Sequence, residues 1–125
     1  MPINQYDSRS TTADPVVDPK TLAAARLFLD RIQGRFTVGF GVLYGSRARG
    51  DHHEHSDADV AVILDGPRER HMAAVLAMSD VAYDILLETG VDISPLPIWR
   101  EQWLNPEKFS NPYLIENIAR EGVRI

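Results

Sequence analysis

The apolar positions change their period several times along the chain, and each change marks an element. From Asp18-Pro19 onward, Leu22, Ala25, Phe28, Leu29 and Ile32 recur at helical spacing. Asp18 is placed as N-cap, Pro19 as the first helical residue and Gly34 as the C-terminal cap of an amphipathic, core-facing helix. Phe36 to Tyr44 then alternates, with Val38, Phe40, Val42 and Tyr44 on one face and Gly39, Gly41 and Leu43 on the other. Two glycines on one face predict that another element packs closely there. Val60 to Leu64 is apolar on both faces, the mark of a central strand. After Asp65-Gly66-Pro67 a long helix is predicted from Pro67 to Thr89, closed by Gly90. Its buried stripe would be Met72, Val75, Leu76, Ser79, Ala82, Tyr83, Leu86 and Leu87, with Asp80, Asp84 and Glu88 on a solvated face. Val91 to Ile98 reads as a third strand whose second half, carrying Pro95 and Pro97, is an edge or an exit from the sheet. Trp99 to Ser110 reads as irregular chain or a short helix. Asn111-Pro112 opens a last helix with Leu114, Ile115 and Ile118, stopped at Gly122, and Val123-Arg124-Ile125 is a candidate short strand.

Residues 1–17 hold Pro2, Pro15 and four Ser/Thr between Ser8 and Thr12 without apolar periodicity, which predicts a mobile arm. Residues 18–125 then form one domain, as a chain of 125 residues allows. With 44% hydrophobic and 25% charged residues the composition is that of a globular protein. A net charge of −5 argues against a stand-alone duplex nucleic-acid binder and leaves a basic protein as a fitting partner. The absence of cysteine removes disulfides and thiolate metal sites. No apolar run approaches the roughly 18 residues of a membrane span, and the N-terminus lacks a signal-peptide apolar region. A soluble cytoplasmic domain is the expectation.

The candidate chemistry lies between the first two strands, in Tyr44-Gly45-Ser46-Arg47-Ala48-Arg49-Gly50 and Asp57-Ala58-Asp59. The dinucleotide fingerprint G-x-G-x-x-G fails, because Tyr44 stands where its third glycine belongs, and the P-loop fails because Ser46 follows Gly45. Gly45 instead lets backbone approach a phosphate ahead of a short helix, with the Ser46 hydroxyl as a donor and Arg47 or Arg49 offering a guanidinium fork. Asp57 and Asp59, two apart on an extended segment, leave the same face at roughly 6–7 Å between Cα atoms. Such carboxylates repel, and divalent cations remove the repulsion; Mg²⁺ favours one or two carboxylates with phosphate oxygens and water. Two metals about 3.5–4 Å apart would brace the attacking and leaving oxygens of a phosphoryl displacement. His52, His53 and His55 with Glu54 invite a metal reading, but their place in the spacer suits an exposed polar loop. Trp99 and Trp103 suit local packing better than partner binding.

The pattern G-S-x10-D-x-D resembles that of polymerase-beta-like nucleotidyltransferases, and its Gly-Ser-Arg-Ala-Arg-Gly…Ser-Asp-Ala-Asp form resembles the minimal nucleotidyltransferase (MNT) family. The resemblance runs from about Thr21 to Ile125. It implies an α/β (α+β) fold in which helices pack on a small mixed sheet, the nucleotidyltransferase fold. It also implies a Mg²⁺–ATP site, with two ions held by Asp57, Asp59 and a third carboxylate that maps onto Asp92. Gly45 and Ser46 would grip the triphosphate. Many such proteins resemble antitoxins that transfer AMP from ATP to a tyrosine of a HEPN ribonuclease toxin. The resemblance therefore implies a protein partner in a hetero-oligomer and no direct nucleic-acid contact. Two alternatives stand beside it: a non-catalytic toxin-binding antitoxin, and a nucleotidyltransferase acting on a small molecule. The latter class usually carries a further domain for its acceptor.

Overall fold

The computed structural model describes residues 17–125. Most of the segment expected to be a mobile arm lies outside these residues. Its last residue, Val17, is buried and belongs to the main core. Helix α1 (Pro19–Ile32) begins as expected, with the Asp18 carboxylate accepting from Thr21 N–H at 3.1 Å and from the Thr21 hydroxyl at 3.0 Å. Its C-cap is Gln33 in right-handed geometry, so Gly34 does not serve as the cap expected of it.

Strand β1 (Val38–Tyr44) leads through Gly45 into the single-turn helix α2 (Ser46–Arg49), and a loop then carries the chain to β2 (Ala58–Leu64). Helix α3 (His71–Thr89), edge strand β3 (Ile93–Trp99), helix α4 (Arg100–Leu104), a 3-10 turn at Pro106–Lys108, helix α5 (Pro112–Glu121) and β4 (Val123–Arg124) complete the order. The sheet runs β3-β2-β1-β4, with β2 and β3 parallel and the other two pairings antiparallel. This is the helix-covered mixed sheet expected. Apolar β2 is central, proline-bearing β3 is an edge, and the C-terminal tail does add a strand.

Two cores follow from the alternation of β2. Val60, Val62 and Leu64 face α1 and α3, packing with Phe28, Ile32, Met78 and Ile85. Ala61 and Ile63 face the C-terminal segment, packing with Ile98, Phe109, Ile115 and Ile118. Gly41 explains the tight fit of α1 on β1, since a Cβ there would sit 2.5 Å from Leu29 Cδ1. A bulge breaks the expected alternation of β1: Val38 pairs with Leu64 and Phe40 with Ile63, leaving Gly39 between them. Val38 therefore joins the α1 side, while Phe40 and Tyr44 join the other. Trp103 packs edge-to-face on Phe40 at 5.8 Å, and Trp99 is buried, so both indoles serve local packing.

Helix α3 departs from expectation twice. It starts at His71, four residues late, because the preceding link runs outside the helix with Glu69 paired to Arg35 and Arg68 to Glu101. Its buried face is Ala74, Met78, Ala82 and Ile85, with Ala77 and Val81 partly covered. Of the residues expected inside, Met72, Leu76, Tyr83 and Leu87 are each at least 60% exposed. The helix is apolar on two faces, and its alanine-rich face allows the closer approach to the sheet.

Candidate active site

The carboxylates meet because of strand register. Ala58 pairs with Ile93 in the parallel β2–β3 ladder, and Ala58 N–H donates to Asp92 carbonyl at 2.8 Å, so Asp57 and Asp92 stand side by side before their strands. One step along, Asp59 pairs with Ser94 on one side and Tyr44 on the other. Alternation puts Asp57, Asp59, Asp92 and Ser94 on the α5 side of the sheet. Tyr44, Asp59, Ser94 and Leu96 are only half-buried, so this end of the face is open.

Electrostatics ties the three acids together. Burial raises the Asp59 carboxyl above its ordinary range and the Asp57 charge raises it further, while Arg49 draws it down. Asp92 is raised by burial, by the Asp57 charge and by a hydrogen bond with Asp57. Burial and the neighbouring Asp59 push the Tyr44 phenol up to about 12, so it stays protonated at neutral pH. Among the described residues, no three His, Cys, Asp or Glu converge into a ready-made metal cage. The acids form a chain through Asp57 instead. That donor set fits Mg²⁺, which takes one or two carboxylates and completes its shell with water and phosphate oxygens.

Gly45 brings backbone against this cluster. It has φ +77°, a region favouring glycine, and a Cβ there would collide with Asp59 Oδ2. Its carbonyl accepts from Ala48 and Arg49 N–H at 3.1 Å each, opening α2 beside Asp59, and Ser46 is the first residue of that turn. The leading N–H groups of a helix have no partner within it.

Residues 25–125 match the family model described as a nucleotidyltransferase domain. The chain belongs to the nucleotidyltransferase domain family. Its general chemistry is nucleotidyl transfer, and the chain is a transferase by family. No curated protein sequence matches it. Among the described residues, no helix is long and apolar enough to cross a membrane.

In this nucleotidyltransferase domain the two arginines of the motif differ. Arg47 is buried, and its guanidinium donates to Ser56 carbonyl at 2.8 Å, Thr21 hydroxyl at 2.7 Å and Glu54 carbonyl at 3.3 Å. With Thr21 in turn donating to Asp18, this network ties the loop before Asp57 to the start of α1. Arg47 therefore positions the loop, and all three of its guanidinium nitrogens are engaged inside the protein. Arg49 is half-exposed, pairs with Asp51 at 3.1 Å and bears on Asp59. It is the arginine with access to a ligand. Thr21 was not among the sequence-derived site residues; its threonine in a helical first turn gave no sign of an arginine partner 26 residues on.

His53 and His55 are exposed, as an exposed polar loop requires, and the His53 ring accepts from His55 N–H at 3.2 Å. His52 borders a separate cleft of about 290 Å³ with Asp18, Lys20, Arg47, His53 and Glu54. None of Asp57, Asp59 and Asp92 lines it.

Proposed function

We propose that the chain transfers AMP from ATP to a protein hydroxyl, with Asp57, Asp59 and Asp92 holding two Mg²⁺ ions. The observation that carries the reading is the β2–β3 register, which sets Asp57 beside Asp92 with Asp59 one step away and Gly45 backbone against it. Bound Mg²⁺ would neutralise the acids and the triphosphate and polarise the α-phosphate. Gly45 gives a phosphate oxygen room to approach the first turn of α2, where the Ser46 hydroxyl donates. Arg49 adds a positive charge beside Asp59. Asp92 takes the proton of the acceptor hydroxyl as its oxygen attacks the α-phosphorus. The bond from that phosphorus to the bridging oxygen breaks, and pyrophosphate leaves.

The acceptor we propose is a tyrosine of a HEPN-type toxin, with the chain as its cognate MNT antitoxin in a hetero-oligomer. What supports this is the minimal motif form and the acidic net charge of −5, which suits a protein acceptor better than a long nucleic acid. The test incubates the chain with α-phosphate-labelled ATP, Mg²⁺ and a purified HEPN-type toxin. The expected result is a labelled tyrosine, lost in Asp57→Ala. Labelling at the full rate in Asp57→Ala would overturn the assignment of the acids.

A further inference from the structure

Helix α3 carries an apolar stripe that nothing among the described residues covers. Met72, Leu76, Tyr83 and Leu87 are 62%, 61%, 60% and 66% exposed. At 3.6 residues per turn all four fall within about 60° of the helix circumference, along a line of about 22 Å. The helix is already anchored by its opposite face, so this stripe plays no part in the core. Four large side chains in one row form a patch of the kind that marks an interaction site.

The margin of the stripe says what fits it. Asp80 and Asp84 follow Leu76 and Leu87 around the helix, on the side facing α1. Asp84 bears on Arg31, which is bonded to Glu88 one turn further on. Asp80 has no ion pair among the described residues, and α3 contains neither Lys nor Arg. We propose that this face of α3 is a docking surface for an amphipathic helix of a different protein, whose apolar stripe is edged by Lys or Arg. Such a helix fills the i, i+4 spacing with its own apolar row and meets Asp80 and Asp84 with its basic edge.

A second copy of the chain matches less well. Crossing two α3 helices on a two-fold axis near Ser79 and Asp80 would set Met72 against Leu87 and Leu76 against Tyr83, which suits the apolar groups. The same crossing gathers Asp80 and Asp84 of both copies with no cation on either helix. The chain's own residues 1–16 carry Arg9 against Asp7 and Asp14 and have no helical apolar period, so they lack both features of the occupant. The surface lies across the sheet from the carboxylates, and the inference does not rest on the chemistry proposed for them.

The test uses the full chain and a fluorescent helical peptide of about 20 residues with a leucine stripe and one lysine edge. Its twin has glutamate in place of each lysine. Fluorescence anisotropy is expected to show at least tenfold tighter binding of the lysine peptide, weakened at least tenfold by Leu76→Ser/Tyr83→Ser with unchanged circular dichroism. Asp80→Lys/Asp84→Lys should reverse the preference between the twins. Equal binding of both peptides, or binding indifferent to Leu76→Ser/Tyr83→Ser, overturns the proposal. So does a dimer in sedimentation that Leu76→Ser dissolves, which assigns the face to a second copy. Lysine-peptide binding that appears only after Ile3→Ser/Tyr6→Ser overturns it in favour of the chain's own N-terminal segment.

Discussion

Replacing Asp57 with Asn removes the one charge that acts on both other carboxylates while keeping the side-chain shape. Two unit charges about 6.5 Å apart repel by ~0.6 kcal/mol in bulk water and ~2.5 kcal/mol at an effective dielectric constant of 20. Asp57 is exposed and Asp59 half-buried, so solvent screening brings the Asp57–Asp59 pair to about 1 kcal/mol, and Asp92, hydrogen-bonded to Asp57, adds repulsion of the same sign. Without metal, Asp57→Asn should therefore be more stable than the parent at pH 7, with Tm raised by about 5 °C. The sign follows from linkage. Asp59 and Asp92 have folded pKa values above the ordinary 3.8, so between 3.8 and the raised values the folded state binds more protons than the unfolded state. Stability falls as pH rises through that window, and the fall should shrink in Asp57→Asn. It should not vanish, because burial is the first cause of both shifts. Mg²⁺ with a non-hydrolysable ATP analogue should invert the ranking, since a ligand at 100 times its Kd adds about 2.7 kcal/mol to the parent alone. Calorimetry from pH 4 to 8, with EDTA or with Mg²⁺ and nucleotide, measures all three effects. An Asp57→Asn protein less stable than the parent in EDTA at every pH would mean that Asp57 does not repel Asp59 and Asp92.

Three further substitutions probe how the site is held. Gly45→Ala imposes a side chain at φ +77° and drives it into the Asp59 carboxylate; backbone strain alone is worth ~1–3 kcal/mol, and transfer activity should fall at least tenfold in a protein that still folds by circular dichroism. Arg47→Gln leaves the Thr21 hydroxyl and the Ser56 and Glu54 carbonyls short of a donor, which should cost about 3 kcal/mol in urea unfolding and raise amide exchange through residues 51–57. Gly41→Ala must displace Leu29 from the core, so we expect a loss of about 1–3 kcal/mol with nucleotide affinity changed little, measured by denaturation beside titration calorimetry.

Much of the fold was legible because periods and caps do not depend on distant partners. The Asp18-Pro19 start, the apolar centre of β2 and the proline edge of β3 all appear as read. What failed was decided by tertiary packing. Helix α3 offers two apolar faces, and periodicity cannot tell which one meets the sheet; the small residues Ala74 and Ala82 settled it by permitting closer contact. The alternation of β1 broke at Gly39 because the ladder with β2 holds one residue fewer. At the site, the pairing of Asp57 and Asp59 could be read from spacing alone. That Asp92 adjoins Asp57 depends on the β2–β3 register, and that Arg47 turns inward depends on Thr21, a residue of another helix. Neither contact leaves a local trace in the sequence.

We propose that Asp57, Asp59 and Asp92 hold the metal-bound triphosphate of a nucleotide. Isothermal titration with an α,β-non-hydrolysable ATP analogue tests it without any knowledge of the acceptor. Binding should require Mg²⁺, disappear in EDTA and be lost in both Asp57→Asn and Asp92→Asn. Equal affinity with and without Mg²⁺, or full affinity in Asp57→Asn, would contradict it.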